Sequence, residues 1–142
     1  MEFKYKDDLN SLVGQGYKMP PLYDIELKEA YRFVFEKDID KNHIPPYKLQ
    51  PNRLKQQIKK ENVKTSGFAL SNFESEEKAV AFYDYLCRVC RNVRKQIGDS
   101  LSYGVLDSTD GKITDVDAKG HFDLYEFYTC DLSTKFNIVR PL

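Results

Sequence analysis

Between Ser71 and Gly98 the chain reads SNFESEEKAVAFYDYLCRVCRNVRKQIG, and no other stretch restricts the fold as strongly. Ala79, Phe82, Leu86, Cys90, Val93 and Ile97 recur at steps of 3, 4, 4, 3 and 4. That is the period of one helical face. The spacing predicts a long amphipathic helix fed by a short buried strand, Phe68-Ala69-Leu70. Ser71-x-x-Glu74 has the form of a capping box, and Asn72 and Ser75 are equally able to cap. Glu74, Glu76 and Glu77 open the run and Arg91, Arg94 and Lys95 close it, which complements the helix dipole. Gly98 supplies a left-handed stop. Phe82 and Leu86 are then core residues, and truncating either to Ala is expected to cost about 2–5 kcal/mol.

After this run the pattern turns to β. Leu101–Leu106 reads as a strand, and Asp110-Gly111 as a hairpin turn into Lys112–Val116. His121–Tyr128 and Lys135–Val139 are two further strands. The fold class expected is α+β, with a central long amphipathic helix packed on a mainly antiparallel sheet formed largely by the C-terminal half.

The first half gives weaker signals. Asp7 to Val13 has helix-spaced Leu9, Leu12 and Val13, ended by Gly14 and Gly16. Residues 24–38 fit either a helix or a strand, and we read a helix over Ile25–Lys28 and a strand over Tyr31–Glu36. Three prolines make 38–51 a loop. Asn52 to Lys60 reads as a short basic helix. Lys48, Arg53, Lys55, Lys59, Lys60 and Lys64 oppose only Glu61, so 48–64 is the one locally basic segment.

A chain of 142 residues fits a single domain, 1–142, with a real core. Its 22 basic and 22 acidic residues cancel, which removes any bulk electrostatic case for nucleic acid or membrane binding. No apolar run approaches the roughly 20 residues that span a bilayer, and the opening MEFKYKDDLN has no apolar signal region. Three cysteines argue against a disulfide framework. These points together lead us to expect a cytoplasmic protein.

Cys87-Arg88-Val89-Cys90 is a C-x-x-C placed mid-helix, where paired thiolates converge poorly on a metal and gain little from the helix dipole. With His121 and Cys130 it makes a four-ligand set on paper, but packing is the simpler role and no metal is assigned. Asp107 to Ile113 misses the register of a calcium loop, because position one falls on Leu106. Asp107, Asp110, Asp115 and Asp117 are read as a solvated turn region. His43 and His121 are residue types suited to acid-base work, but no nucleophile is spaced to join them in a triad.

Glu126 stands out. Alternation along His121–Tyr128 puts it on one face with Phe122, Leu124 and Tyr128, so its carboxylate needs a partner. Arg32, between Tyr31 and Phe33, is the expected cation.

Tyr31-Arg32, then Gly67-Phe68-Ala69-Leu70-Ser71 ahead of Glu74–Phe82, then Glu126 resemble the order found in ADP-ribosyltransferases of the arginine-serine-glutamate type. Lys135-Phe136-Asn137-Ile138-Val139 is similar to the strand that follows the Glu. The resemblance spans residues 30–139. It departs from the family where Ser-Thr-Ser is Ala69-Leu70-Ser71 and where the acid or amide two places before the Glu is Leu124. It implies that Arg32 contacts the phosphates of NAD, Ser71 orients Glu126, and Glu126 stabilises oxocarbenium character at the ribose. A degenerate, inactive relative fits the same pattern.

Our leading expectation is a non-catalytic protein-interaction or accessory module without a cofactor, acting on another protein or by self-association. Its Tyr-rich neutral surface and the loop 38–51 suit an interface. The alternatives are an NAD-dependent ADP-ribosyltransferase-like protein using Arg32, Ser71 and Glu126, and nucleic-acid contact through 48–64.

Overall fold

The computed structural model describes residues 1–142. In chain order its elements are α1 (Lys6–Gly14), β1 (Tyr23–Asp24), β2 (Leu27–Val34), α2 (Pro46–Leu49), α3 (Pro51–Lys59), β3 (Leu70–Phe73), α4 (Glu76–Val89), α5 (Val93–Gln96), β4 (Ser100–Asp107), β5 (Gly111–Ile113), β6 (His121–Glu126) and β7 (Asn137–Pro141). The protein is a mixed α and β domain with no helix long and apolar enough to cross a membrane.

The run after Ser71 is not one long central helix. Ser71 lies in β3, and Ser75 is the cap, its hydroxyl accepting from the Lys78 N–H at 3.2 Å. α4 ends at Val89; Cys90 is extended and Asn92 is left-handed at φ 61°. The helical period had counted Cys90 and Val93 on one face. In the fold Cys90 is exposed, while Val93 is buried at the start of a separate helix, α5, beyond the break. Ala79 and Tyr83 are the buried residues of α4, and Phe82 and Leu86 are half-buried, so the apolar stripe is rotated from the expected one. Gly98 does occupy the left-handed region, at φ 139°, where a Cβ would meet the Val34 carbonyl oxygen at 2.4 Å.

Residues 24–38 resolve in favour of the strand. Ala30, Arg32 and Val34 are buried at alternate positions, a period of two, and no helix forms over Ile25–Lys28. β2 pairs antiparallel with β4 residue by residue from Leu27–Asp107 to Val34–Ser100. The Asp110-Gly111 turn is not a hairpin. β4 and β5 are not neighbours in the sheet, whose order is β1-β5-β6-β3-β2-β4-β7. The turn instead joins two strands that lie near opposite ends of the strand order. Gly111 allows it to pass close to β6, since a Cβ there would lie 2.2 Å from the Tyr125 carbonyl oxygen.

One joint decides where a site can form. β3 pairs with β6 over four residues, but β2 and β3 meet only at Tyr31–Phe73. The sheet therefore parts there into two leaves, β1-β5-β6-β3 and β2-β4-β7. Leu70 and Leu124 from one leaf pack with Ala30 and Leu106 from the other, closing one end of the gap. Leu9, Leu12, Tyr47 and Tyr125 form a second core under α1 and α2, and Phe73, Ala79 and Leu101 a third under α4.

Candidate functional site

A cleft of about 410 Å³ opens where the leaves part. β2 contributes Arg32 and Phe33, β3 contributes Ser71 and Phe73, α4 contributes Phe82 and Leu86, and the loop after β2 contributes His43. Two hollows elsewhere are larger, about 800 Å³ around α3 and about 480 Å³ beside His121, but their linings are mostly polar. Small-molecule sites are typically apolar walls with a few convergent polar groups, and the cleft has that character. Its charged lining residues are Arg32, Lys41 and Arg53, with no Asp or Glu among them. In a chain of zero formal net charge, this is a local concentration of positive charge.

Arg32 is 7% exposed. Its Nε donates to His43 Nδ1 at 3.0 Å and its Nη1 donates to the Ser71 carbonyl, while Nη2 has no protein partner. Burial lowers the guanidinium to about 10, against the pull of the nearby Glu126 charge, so it stays protonated at neutral pH. His43 is held in place by its loop. Asn42 accepts from the Phe35 N–H at 2.7 Å and donates back to the Phe35 carbonyl at 2.9 Å, and His43 itself is left-handed at φ 60°. Burial, and then the Arg32 charge, push His43 down to about 3. The imidazole is therefore neutral, with Nδ1 as acceptor and its proton on Nε2. A buried cation whose hydrogen-bond partners are a neutral ring and a carbonyl has no carboxylate bonded to it, and its remaining N–H groups are open to an anionic ligand.

The three residues singled out by the resemblance lie on β2, β3 and β6, which are consecutive neighbours in the sheet. Arg32 and Ser71 line the cleft together; Glu126 does not. Ser71 pairs with Asp123 in the β3–β6 ladder, which turns its hydroxyl away from Glu126 and into a hydrogen bond with His121 Nε2. Only the Ser71 carbonyl faces Arg32. Glu126 is buried at 3% exposure on the face with Phe122 and Leu124, as alternation requires, whereas Tyr128 is exposed. Its ion-pair partner is Lys4, with Nζ 2.6 Å from Oε2, and not the expected Arg32. Oε1 is buried without any partner. Lys4 was missed because it is 122 residues away in sequence. The available signal was the alternation of Phe3, Lys4 and Tyr5, which fits an added strand.

Other expected features settle as follows. Cys87 and Cys90 are exposed, Cys130 is buried, and no group of three His, Cys, Asp or Glu side chains could hold a metal ion. The acidic turn is not wholly solvated, since Asp110 is buried and paired with Lys135, which also reaches Asp107 at 3.1 Å. The basic segment 48–64 is divided: Lys48 is paired with Asp8 at 2.9 Å, while Arg53 lines the cleft.

The chain matches no protein-family model, no curated protein and no solved structure.

Proposed function

We propose that this domain binds NAD or a closely related nucleotide on the plan of ADP-ribosyltransferases, with catalysis held off. One observation carries the reading. Arg32, Ser71 and Glu126 come from three adjacent strands at the joint where the sheet opens, and Arg32, with Nη2 unbonded by the protein, lines that opening. A pyrophosphate suits this side chain, because guanidinium binds phosphate oxygens through paired, charge-assisted hydrogen bonds. Phe33, Phe73 and Phe82 offer apolar walls for a planar ring, and Lys41 and Arg53 add positive charge. Glu126 is on the neighbouring strand but is neutralised by Lys4, so binding does not bring its carboxylate to the ligand.

Calorimetric titration with NAD, ADP-ribose and adenosine tests this directly. Both phosphate-bearing ligands should bind, adenosine should bind at least about tenfold more weakly, and Arg32→Gln should erase the difference. Equal binding of adenosine and ADP-ribose, or an unaffected Arg32→Gln protein, contradicts the reading.

A second reading, a non-catalytic protein-interaction module, is favoured by one feature. β7 is the last strand of the sheet and all five of its residues are exposed, Ile138 and Val139 among them. An open edge of this kind can accept a partner's strand. Val139→Lys should then weaken association with a partner protein or with a second copy without altering nucleotide binding.

A further inference from the structure

We infer that residues Glu2–Tyr5 form a displaceable cover over Glu126, with Lys4 as the positioning residue that holds the carboxylate away from the cleft. The inference rests on the nucleotide-binding reading for its catalytic consequence, but not for the movement of the cover itself.

The cover is built as a short added strand. The Lys4 N–H donates to the Glu126 carbonyl at 2.8 Å, the Tyr128 N–H donates to the Glu2 carbonyl at 3.0 Å, and Phe3 bridges to Phe127. Phe3 stacks on Phe127 with ring centroids 5.6 Å apart and meets Tyr125 edge-on at 6.4 Å. Lys4 then turns inward, giving Nζ–H bonds to Glu126 Oε2 at 2.6 Å and to the Cys130 carbonyl at 2.7 Å. Its side chain remains 27% exposed, whereas that of Glu126 is 2% exposed. Water can reach the cation but not the acid.

Two features mark this as a closed state of a usable group. Glu126 Oε1 is buried and bonded to nothing, an arrangement that protein interiors avoid. The one cation that meets the carboxylate, Lys4, belongs to the cover, so opening the cover removes the partner of Oε2 as well. The cover is joined to the chain beneath it by only two backbone hydrogen bonds around one bridge, few enough to open without unfolding the sheet.

The test has two independent readouts. The first needs no nucleotide. In the wild-type protein the Lys4 and Tyr128 amides should exchange with solvent at least about 100-fold faster than the Ala30 amide within the β2–β4 ladder. Equal rates would mean that the segment opens only when the whole protein unfolds, and would overturn the proposal.

The second follows nicotinamide released from NAD. Water adds at ribose C1′, the C1′–N bond breaks with its electron pair leaving on nicotinamide, and the water proton goes to solvent. Lys4→Met should raise release at least about tenfold while nucleotide binding is retained. Lys4→Arg should stay at the wild-type level, and Lys4→Met with Glu126→Gln should return to it. A folded, nucleotide-binding Lys4→Met protein that releases no more than wild type overturns the inference. If wild type binds no nucleotide, the nucleotide reading fails, and amide exchange alone decides whether the cover moves.

Discussion

Arg32 Nε lies 3.0 Å from His43 Nδ1, so one neutral imidazole holds the end of a buried guanidinium. The pair joins β2 to the loop that follows it, and Nη1 extends the link to the Ser71 carbonyl on β3. The two leaves of the sheet are thus tied across the gap by the same side chain that lines the cleft.

This pairing makes stability depend on pH. His43 is held at about 3 in the fold, against about 6.5 unfolded, so below pH 6.5 the unfolded chain binds the extra proton. The contribution is complete above pH 6.5 and is lost as pH falls towards 3, at up to about 1.4 kcal/mol per pH unit. Urea unfolding at pH 7 and pH 5 should show this loss, and His43→Asn should flatten it. An equal pH slope in both proteins would show that His43 takes up its proton alike in the folded and unfolded chain, with no depression by the fold.

Tyr83 should matter more than the residues that helical spacing selects. It is 3% exposed, packs edge-on against Phe33 at 5.2 Å, and donates to the Gly98 carbonyl at 2.8 Å. Tyr83→Ala should cost about 3–5 kcal/mol, and Tyr83→Phe about 1 kcal/mol for the lost hydrogen bond. Leu86→Ala, at a half-buried site, should cost about 1 kcal/mol. The reverse order in denaturant midpoints would restore the longer helix and its expected face.

The corner formed by Asp107, Asp110 and Lys135 should be sensitive to single changes. Asp110 accepts from the Asp107 N–H at 2.8 Å as well as from Lys135. The Cys130 thiol also reaches Asp110, at 3.8 Å, so Asp110→Ala removes three contacts at once and should cost about 3 kcal/mol, the lower end for a buried pair because Lys135 keeps some solvent. Thermal unfolding of Asp110→Ala beside Asp115→Ala, an exposed control, measures the difference.

Thiol chemistry should divide the cysteines two to one. Cys87 and Cys90 are exposed, while burial raises the Cys130 thiol far above its ordinary range. Ellman's reagent should consume two thiols quickly in the native protein and the third only in denaturant. Rapid consumption of all three would place Cys130 at the surface.

Local patterns were legible in the sequence, and long-range pairings were not. The alternation that buries Glu126 and the residue types in α4 are properties of neighbouring positions, and both were readable. The length of α4 was not, because Cys90 counts as apolar in a period although nothing covers it in the fold. The hairpin expected at Asp110-Gly111 failed for a related reason. A turn dipeptide specifies that the chain reverses, but not which strand it meets, and β5 finds β1 and β6. Arg32 and Ser71 meet because β2 and β3 touch at a single pair and then part, a consequence of the whole sheet order. Lys4 was the costliest omission, since the alternation of Phe3, Lys4 and Tyr5 fits a strand but does not say that it pairs with the end of β6.

Whether Arg32 receives a phosphate can be read from an amide and arginine-side-chain NMR map of the protein titrated with ADP-ribose. The largest shifts should fall at the Arg32 Nε–H, His43, Ser71 and Phe73, with β7 unmoved. Saturable shifts confined to β7 or to α3, with Arg32 and His43 unchanged, would contradict it.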